Sequence, residues 1–275
     1  MRVFRFFPAT VVVASAATLA LSVPLLAKPP GLPERAPVPA MSRPDPRPPS
    51  EDVPIPAPRP ARAPDKEKQP PATAPKEKKA VQPDPRSSAL PADAMPAEEI
   101  ACRERLEALG VVFEDRKAEH DAAVGCSVPY PVVVKKLGAA LDVEPAAELN
   151  CPMAEALAKF MQDVVAPAAK DAFGVEPKSV AQASAFVCRP RHDGGKLSEH
   201  AFGNALDIAG FALADGTRVE VGPAPPGGQA KFLAAVRSAA CGPFRTVLGP
   251  GSDPDHERHL HLDLEPRRHN GTFCQ

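Results

Sequence analysis

The stretch Asp255-His256-Glu257-Arg258-His259-Leu260-His261-Leu262-Asp263 decides how this 275-residue chain is read. If residues 259–264 form a β-strand, successive side chains point to opposite faces. His259, His261 and Asp263 then share one face, while Leu260, Leu262 and Leu264 share the other. The leucine face belongs on a core. Two imidazoles and a carboxylate side by side are costly to bury unless they bind something. Zinc suits all three, taking imidazole nitrogen at about 2.0–2.1 Å and carboxylate oxygen at about 2.0–2.2 Å.

Upstream lies a second cluster, Leu197-Ser198-Glu199-His200-Ala201-Phe202-Gly203-Asn204-Ala205-Leu206-Asp207. It offers one imidazole and one carboxylate, His200 and Asp207, with Gly203 between them to permit a turn. That spacing puts His200 in a loop or helix end and Asp207 on the next strand, both facing one point. Either cluster alone also reads as a solvated sheet edge or loop. Together they supply the three ligands of a catalytic zinc, whose fourth position is left to water.

Around these clusters the pattern mixes periods. Residues 97–109 read as a helix stopped at Gly110, and 131–137 as a short β-branched strand. Residues 145–173 look helical, with apolar positions near 3.6 spacing, a kink or stop expected at Pro167 and an end at Gly174. Strands are expected over 179–188, 205–213, 217–221, 244–248 and 259–264, with Asp215-Gly216 as a hairpin turn. A helix covers 229–240. Helices early and strands late predict an α+β domain with a small, mostly antiparallel sheet that carries the zinc site and is flanked by helices.

The rest of the chain bounds what the domain can be. Of 37 prolines, 21 fall in residues 28–96, a stretch without Phe, Tyr, Trp or Cys. It cannot bury enough apolar surface to offset its ordering entropy, so it reads as a disordered, extended spacer. Before it, Arg2 and Arg5 precede the uncharged run 6–27, the pattern of an export signal. An uncleaved inner-membrane anchor through residues 6–27 is the second reading of that run, since its length could just span a bilayer. The organisation is thus a signal or anchor over 1–27, a spacer over 28–96 and a domain over 97–275. Formal charge is −1, from 33 basic and 34 acidic residues, which recommends no nucleic acid as partner. Trp is absent and Tyr130 is the single tyrosine, which argues against an aromatic base-stacking platform as well.

Cys102, Cys126, Cys151, Cys188, Cys241 and Cys274 all lie in the domain, and none forms a CysXXCys pair. An even number in an exported domain points to disulfide staples in an oxidising compartment, the periplasm or cell envelope. Sequential pairing is expected: Cys102–Cys126, Cys151–Cys188 and Cys241–Cys274.

The motif SerXHisXXGlyXAlaXAsp, met by Ser198, His200, Gly203, Ala205 and Asp207, resembles the signature of the zinc D-Ala-D-Ala carboxypeptidase superfamily. That group includes D,D-peptidases, lysostaphin-like enzymes and the penicillin-insensitive murein endopeptidase, whose HisXXHisXHis spacing is matched by His256, His259 and His261. More closely, the region from Cys102 onward resembles the extensin-like protein C-terminal domain family of bacterial envelope proteins. The segments that carry this are CysArgProArg (188–191), LeuSerGluHisAla (197–201), ThrValLeuGlyProGlySerAsp (246–253) and HisLeuHisLeuAsp (259–263). Two departures stand out: Phe186-Val187 replaces an expected tyrosine-alanine pair, and Arg258 occupies the place of a common glutamate base.

The resemblance implies His200, Asp207 and His261 as zinc ligands. It places His259 beside the zinc's water as general base or transition-state stabiliser, with His256 as an accessory. Ser198 is expected to bond substrate, and Arg189 or Arg191 to hold a peptide carboxylate as a planar fork. Asp263 is expected to orient an imidazole through its other nitrogen. The activity implied is hydrolysis of peptidoglycan stem or cross-link peptides. The alternative is a non-catalytic module of the same fold that binds peptidoglycan or tethers the envelope, and a fourth protein ligand such as His256 would favour it.

Overall fold

A computed structural model describes residues 80–138 and 140–275 of the chain. The expected signal or anchor and most of the spacer lie outside the described residues. Among those described, no helix is long and apolar enough to cross a membrane.

The domain begins with helix α1 (Ala97–Ala108), followed by strands β1 (Val112–Asp115), β2 (Glu119–Asp121), β3 (Cys126–Val128), β4 (Val132–Leu137) and β5 (Leu141–Leu149). Helix α2 (Cys151–Phe160) runs through a π-helical turn (Met161–Val165) into α3 (Ala166–Phe173). Then come β6 (Pro177–Ser184), a 3-10 turn (Glu199–Phe202), β7 (Ala205–Leu213) and β8 (Arg218–Glu220). Helix α4 (Gly227–Ala240) and strands β9 (Thr246–Leu248), β10 (Leu260–Asp263) and β11 (Phe273–Cys274) complete the order. One nine-stranded sheet runs β1-β4-β5-β6-β7-β10-β9-β11 with β8 beside β7, and β2 and β3 form a separate ribbon. Among the described strands only β5–β6 and β9–β11 pair in parallel, so the sheet is mostly antiparallel, as the sequence suggests. With nine strands it is larger than the small sheet expected.

The core lies on one face of this sheet. Leu106 of α1, Met153 and Leu157 of α2, and Phe232 and Val236 of α4 pack with Val132, Val134, Val180, Leu206, Ile208, Leu260 and Leu262. Those strand residues alternate with residues of the other face, which include Asp207, His261 and Asp263. The leucines at 260 and 262 anchor their strand in the core and so fix which way the intervening histidine faces.

Two expectations are corrected. The helix expected over 145–173 starts at Cys151, because 141–149 is strand β5, paired with both β4 and β6. Its buried positions, Leu141, Val143, Ala147 and Leu149, follow strand alternation apart from the Pro145 region. Pairing of 147–149 with β4 outweighs the helix-forming composition of AlaAlaGluLeu. Asn150 then caps α2, its side-chain oxygen accepting from the Met153 N–H at 2.9 Å. At Pro167 the chain does not break; the π turn just ahead absorbs the lost hydrogen bond.

The disulfides are Cys102–Cys151, Cys126–Cys188 and Cys241–Cys274. Sequential pairing therefore holds only for the last. Helices α1 and α2 lie side by side, which brings Cys102 to the start of α2, and β3 passes under the loop before the 3-10 turn, where Cys188 waits. No cysteine is free.

Chain assigned to the spacer also packs on the domain. The Gln82 N–H donates to the Gly195 carbonyl at 2.7 Å, and the Ala92 N–H to the Tyr130 hydroxyl oxygen at 2.6 Å. The Ser127 hydroxyl donates to the Ala89 carbonyl. Hydrogen bonds to its backbone, not apolar bulk, hold this segment, so its composition does not distinguish it from the spacer.

Candidate metal centre

Strands β7 and β10 are antiparallel neighbours, with His261 directly opposite Asp207 in the register. The turn that carries His200 leads into β7. Its last link is Gly203 at φ +60, where a Cβ would stand 2.8 Å from the Asn150 nitrogen. Glycine lets this turn press on the start of α2, and there the Asn150 N–H donates to the Gly203 carbonyl at 2.8 Å. The local fold thus returns His200 over the carboxylate of Asp207.

Three donor atoms converge. Asp207 Oδ1 lies 2.8 Å from His261 Nδ1 and 3.2 Å from His200 Nε2, and the two nitrogens are 3.2 Å apart. All three residues are buried, at 1% exposure for His200, 5% for Asp207 and 8% for His261. The group could hold a metal ion.

The outer nitrogens are already engaged. A carbonyl only accepts, so His200 Nδ1–H donates to the Ala185 carbonyl at 2.5 Å, and Nε2 is the nitrogen that faces the centre. His261 Nε2–H donates to Asp263 Oδ2 at 3.0 Å, which leaves Nδ1 for the centre. Both rings are therefore oriented as metal-binding imidazoles usually are.

Charge at the centre is strongly coupled. Burial pushes the Asp207 carboxyl up, but bonds from His200 and His261 outweigh it and hold the group far below the usual carboxylate range. Burial pushes the His261 imidazole down, whereas Asp207 and Asp263 draw it up to about 9. Asp263, despite its burial, is held low by His261 and by the Glu265 N–H. The centre is thus an anionic socket that wants a cation, a proton or a metal.

His259 precedes β10 instead of lying in it, yet its Nε2 is 3.6 Å from Asp207 Oδ1. Burial lowers its pKa, with Asp207 raising it and three neighbouring histidines lowering it further, so it is a neutral imidazole at neutral pH. His256 stands beyond it, ring centroids 5.1 Å apart, with Nδ1 bonded 2.7 Å from Asp253. His256 is not one of the three converging groups.

The remaining expected residues are placed unevenly. Ser198 is buried, its carbonyl accepting from the Ala201 N–H at the head of the turn. Arg191 is committed: it donates to Glu265 Oε1 at 2.7 Å and to the Leu197 carbonyl at 3.3 Å. Its guanidinium is thus engaged in an ion pair with a buried carboxylate at the edge of the core. Arg189 is exposed, and among the described residues its one side-chain bond is a 3.4 Å contact with the Pro190 carbonyl. Sequence reasoning does not single out Glu199 or Glu265, although both are buried. A signal exists for the first: Glu199 lies within the motif, next to His200.

No curated protein and no solved structure is significantly similar to the chain. Residues 100–275 match a family described as extensin-like protein C-terminus. With most of its length covered, and with the His200, Asp207 and His261 triad inside the matched segment, the chain belongs to the extensin-like protein C-terminal family.

Proposed function

We propose that the domain is a zinc-dependent peptidase of the cell envelope, acting on peptidoglycan stem or cross-link peptides. The observation that carries this reading is the convergence of two imidazole nitrogens and one carboxylate oxygen, with a third imidazole beside them. Two nitrogens and an oxygen from a buried triad fit zinc, and three protein donors fit a catalytic rather than a closed structural site. The peptide substrate and the envelope location rest on the resemblance to zinc D-Ala-D-Ala peptidases, the apolar run 6–27 and the three disulfides.

His200 Nε2, Asp207 Oδ1 and His261 Nδ1 would hold the ion. Zinc, when bound, supplies a Lewis acid that polarises a carbonyl and makes water nucleophilic at neutral pH. Ala185 and Asp263 keep the two ligand rings from turning. His259, neutral and beside Asp207, takes a proton from the attacking water and passes it to the departing amide nitrogen. Glu257 is displaced by one residue from the usual base position, which leaves that role to His259.

The test is elemental analysis of the purified protein, followed by incubation with purified peptidoglycan and mass analysis of what is released. About one zinc per chain with newly released peptides supports the proposal. Bound zinc without release supports the envelope-binding module instead, and absence of any bound metal after zinc loading removes both.

A further inference from the structure

The acid next to the ligand His200 is buried and held from outside the family-matched segment. Glu199 is 2% exposed. Its Oε1 accepts from Arg86 Nη2 and its Oε2 from Arg86 Nη1, each at 2.8 Å. Among the described residues Arg86 is its cationic partner, and Asn204 Nδ2 adds a bond to Oε2 at 2.6 Å. Arg86 also lies 3.9 Å over the ring of Phe202, at the other end of the same turn, and is itself held by Asp84 at 2.9 Å. The match to the family begins at residue 100, so Arg86 lies outside it.

We infer that Arg86 is a positioning residue for the metal centre: its two-pronged pair with Glu199 fixes the Glu199–Phe202 turn and thereby the Nε2 of His200. Glu199 and His200 are consecutive in a four-residue turn, so the backbone of one cannot move without the other. A buried carboxylate without its cation is driven toward water. Rotation of Glu199 outward would pull His200 off Asp207, against the Ala185 bond, the Val187 and Gly203 N–H bonds to the His200 carbonyl and the Asn204 N–H bond to the Glu199 carbonyl. Around Arg86 the segment does not pack solidly, since a cavity of about 380 Å³ lies among Arg86, Ala89, Tyr130, Phe202 and Asn204. The link is therefore electrostatic and local, and the centre is complete only with residues 84–86 in place.

This inference rests on the metal-binding reading, and its test separates the two. In the full-length chain, zinc affinity is measured by chelator competition for the parent, Arg86→Ala, Arg86→Lys, Glu199→Gln and the double variant Arg86→Ala/Glu199→Gln. Loss of a group that orients a ligand weakens metal binding by about 10–100-fold, and about tenfold is expected for Arg86→Ala. Arg86→Lys keeps the charge but not the planar fork, so it recovers part of that loss. In the Glu199→Gln background, removing Arg86 should cost less than a further twofold. Affinity within twofold of the parent in a folded Arg86→Ala protein overturns the inference, as does an equal loss in both backgrounds. If Arg86→Ala does not fold, Arg86→Lys decides the question, because unchanged affinity there also overturns it. If the parent binds no zinc, the metal reading fails, and amide hydrogen exchange then tests Arg86 directly. Faster exchange at residues 201, 203 and 204 in the variant supports positioning, and unchanged exchange rejects it.

Discussion

Asp207 Oδ1 and His261 Nδ1 face each other at 2.8 Å across an antiparallel strand pair, and the same oxygen is also the nearest acid atom to His200 and His259. One carboxylate oxygen thus gathers three imidazoles. In a buried setting that arrangement is stable only with a cation at its centre. The strand register sets which imidazole is the closest, placing His261 opposite Asp207 and His259 beside the pair.

Replacing His261 by Ala removes a donor nitrogen from the centre, so bound zinc and peptide release should fall together. Replacing His259 by Ala leaves His200, Asp207 and His261 in place. Zinc should stay bound, while the rate falls about 10²–10⁴-fold, the usual scale for a positioned acid–base group. Zinc per chain and peptide release, measured on both variants, check this. Loss of zinc in the His259 variant with retention in the His261 variant reverses the two roles.

The pH response follows from the raised His261 pKa, about 9 against an ordinary 6.5. In the metal-free protein a raised folded-state pKa stabilises fully below about 6.5, and that contribution is lost as pH rises through about 9. Zinc needs the Nδ1 lone pair and so competes with the proton, which makes affinity rise over the same window. Melting temperatures with chelator and with zinc, taken between pH 6 and pH 9.5, should therefore diverge. The metal-free curve falls and the zinc-dependent increment grows. A metal-free melting temperature that rises with pH across this window contradicts the pairing of His261 with Asp207 and Asp263.

Legibility in the sequence follows the range of the interactions. The alternation of Leu260, His261, Leu262 and Asp263 is local, so the strand and its two faces are readable without a structure. His259 is not: it sits just before the strand and reaches Asp207 through a turn. Strands β1 and β2 are short and mostly exposed, and give no hydrophobic signal. Strand β5 has helix-like composition and is decided by its neighbours. Arg86 lies in a proline-rich tract, and only the fold brings it 113 residues along the chain to Glu199.

Disulfide connectivity is likewise a property of the folded chain. Protein taken from its native compartment should show no reactive thiols after denaturation without reductant. A digest kept unreduced should link the Cys102 peptide to that of Cys151, and Cys126 to Cys188. The double change Cys102→Ser/Cys151→Ser unties α1 from α2 and should cost about 2–4 kcal/mol of stability. A Cys102–Cys126 peptide in the digest contradicts the packing of α1 against α2.

Gly203 gives the most local test of how the fold delivers His200. Its φ of +60 disfavours any side chain, and a Cβ would lie 2.8 Å from the Asn150 nitrogen and 3.1 Å from the Leu149 carbonyl carbon. These are backbone atoms at the junction of β5 and α2, which cannot yield as a side-chain tip can. Gly203→Ala therefore adds left-handed strain, about 1–3 kcal/mol, to a contact that must be relieved by moving the turn. The turn carries His200, so zinc affinity should fall as well as stability. Gly216 is the control: it also has positive φ, at +89, but nothing lies within 4 Å of its Cβ position. Gly216→Ala should show the strain alone, with a lower melting temperature and unchanged zinc affinity. Equal effects of both substitutions on zinc binding would mean that the close approach of Gly203 to Asn150 does not set the position of His200.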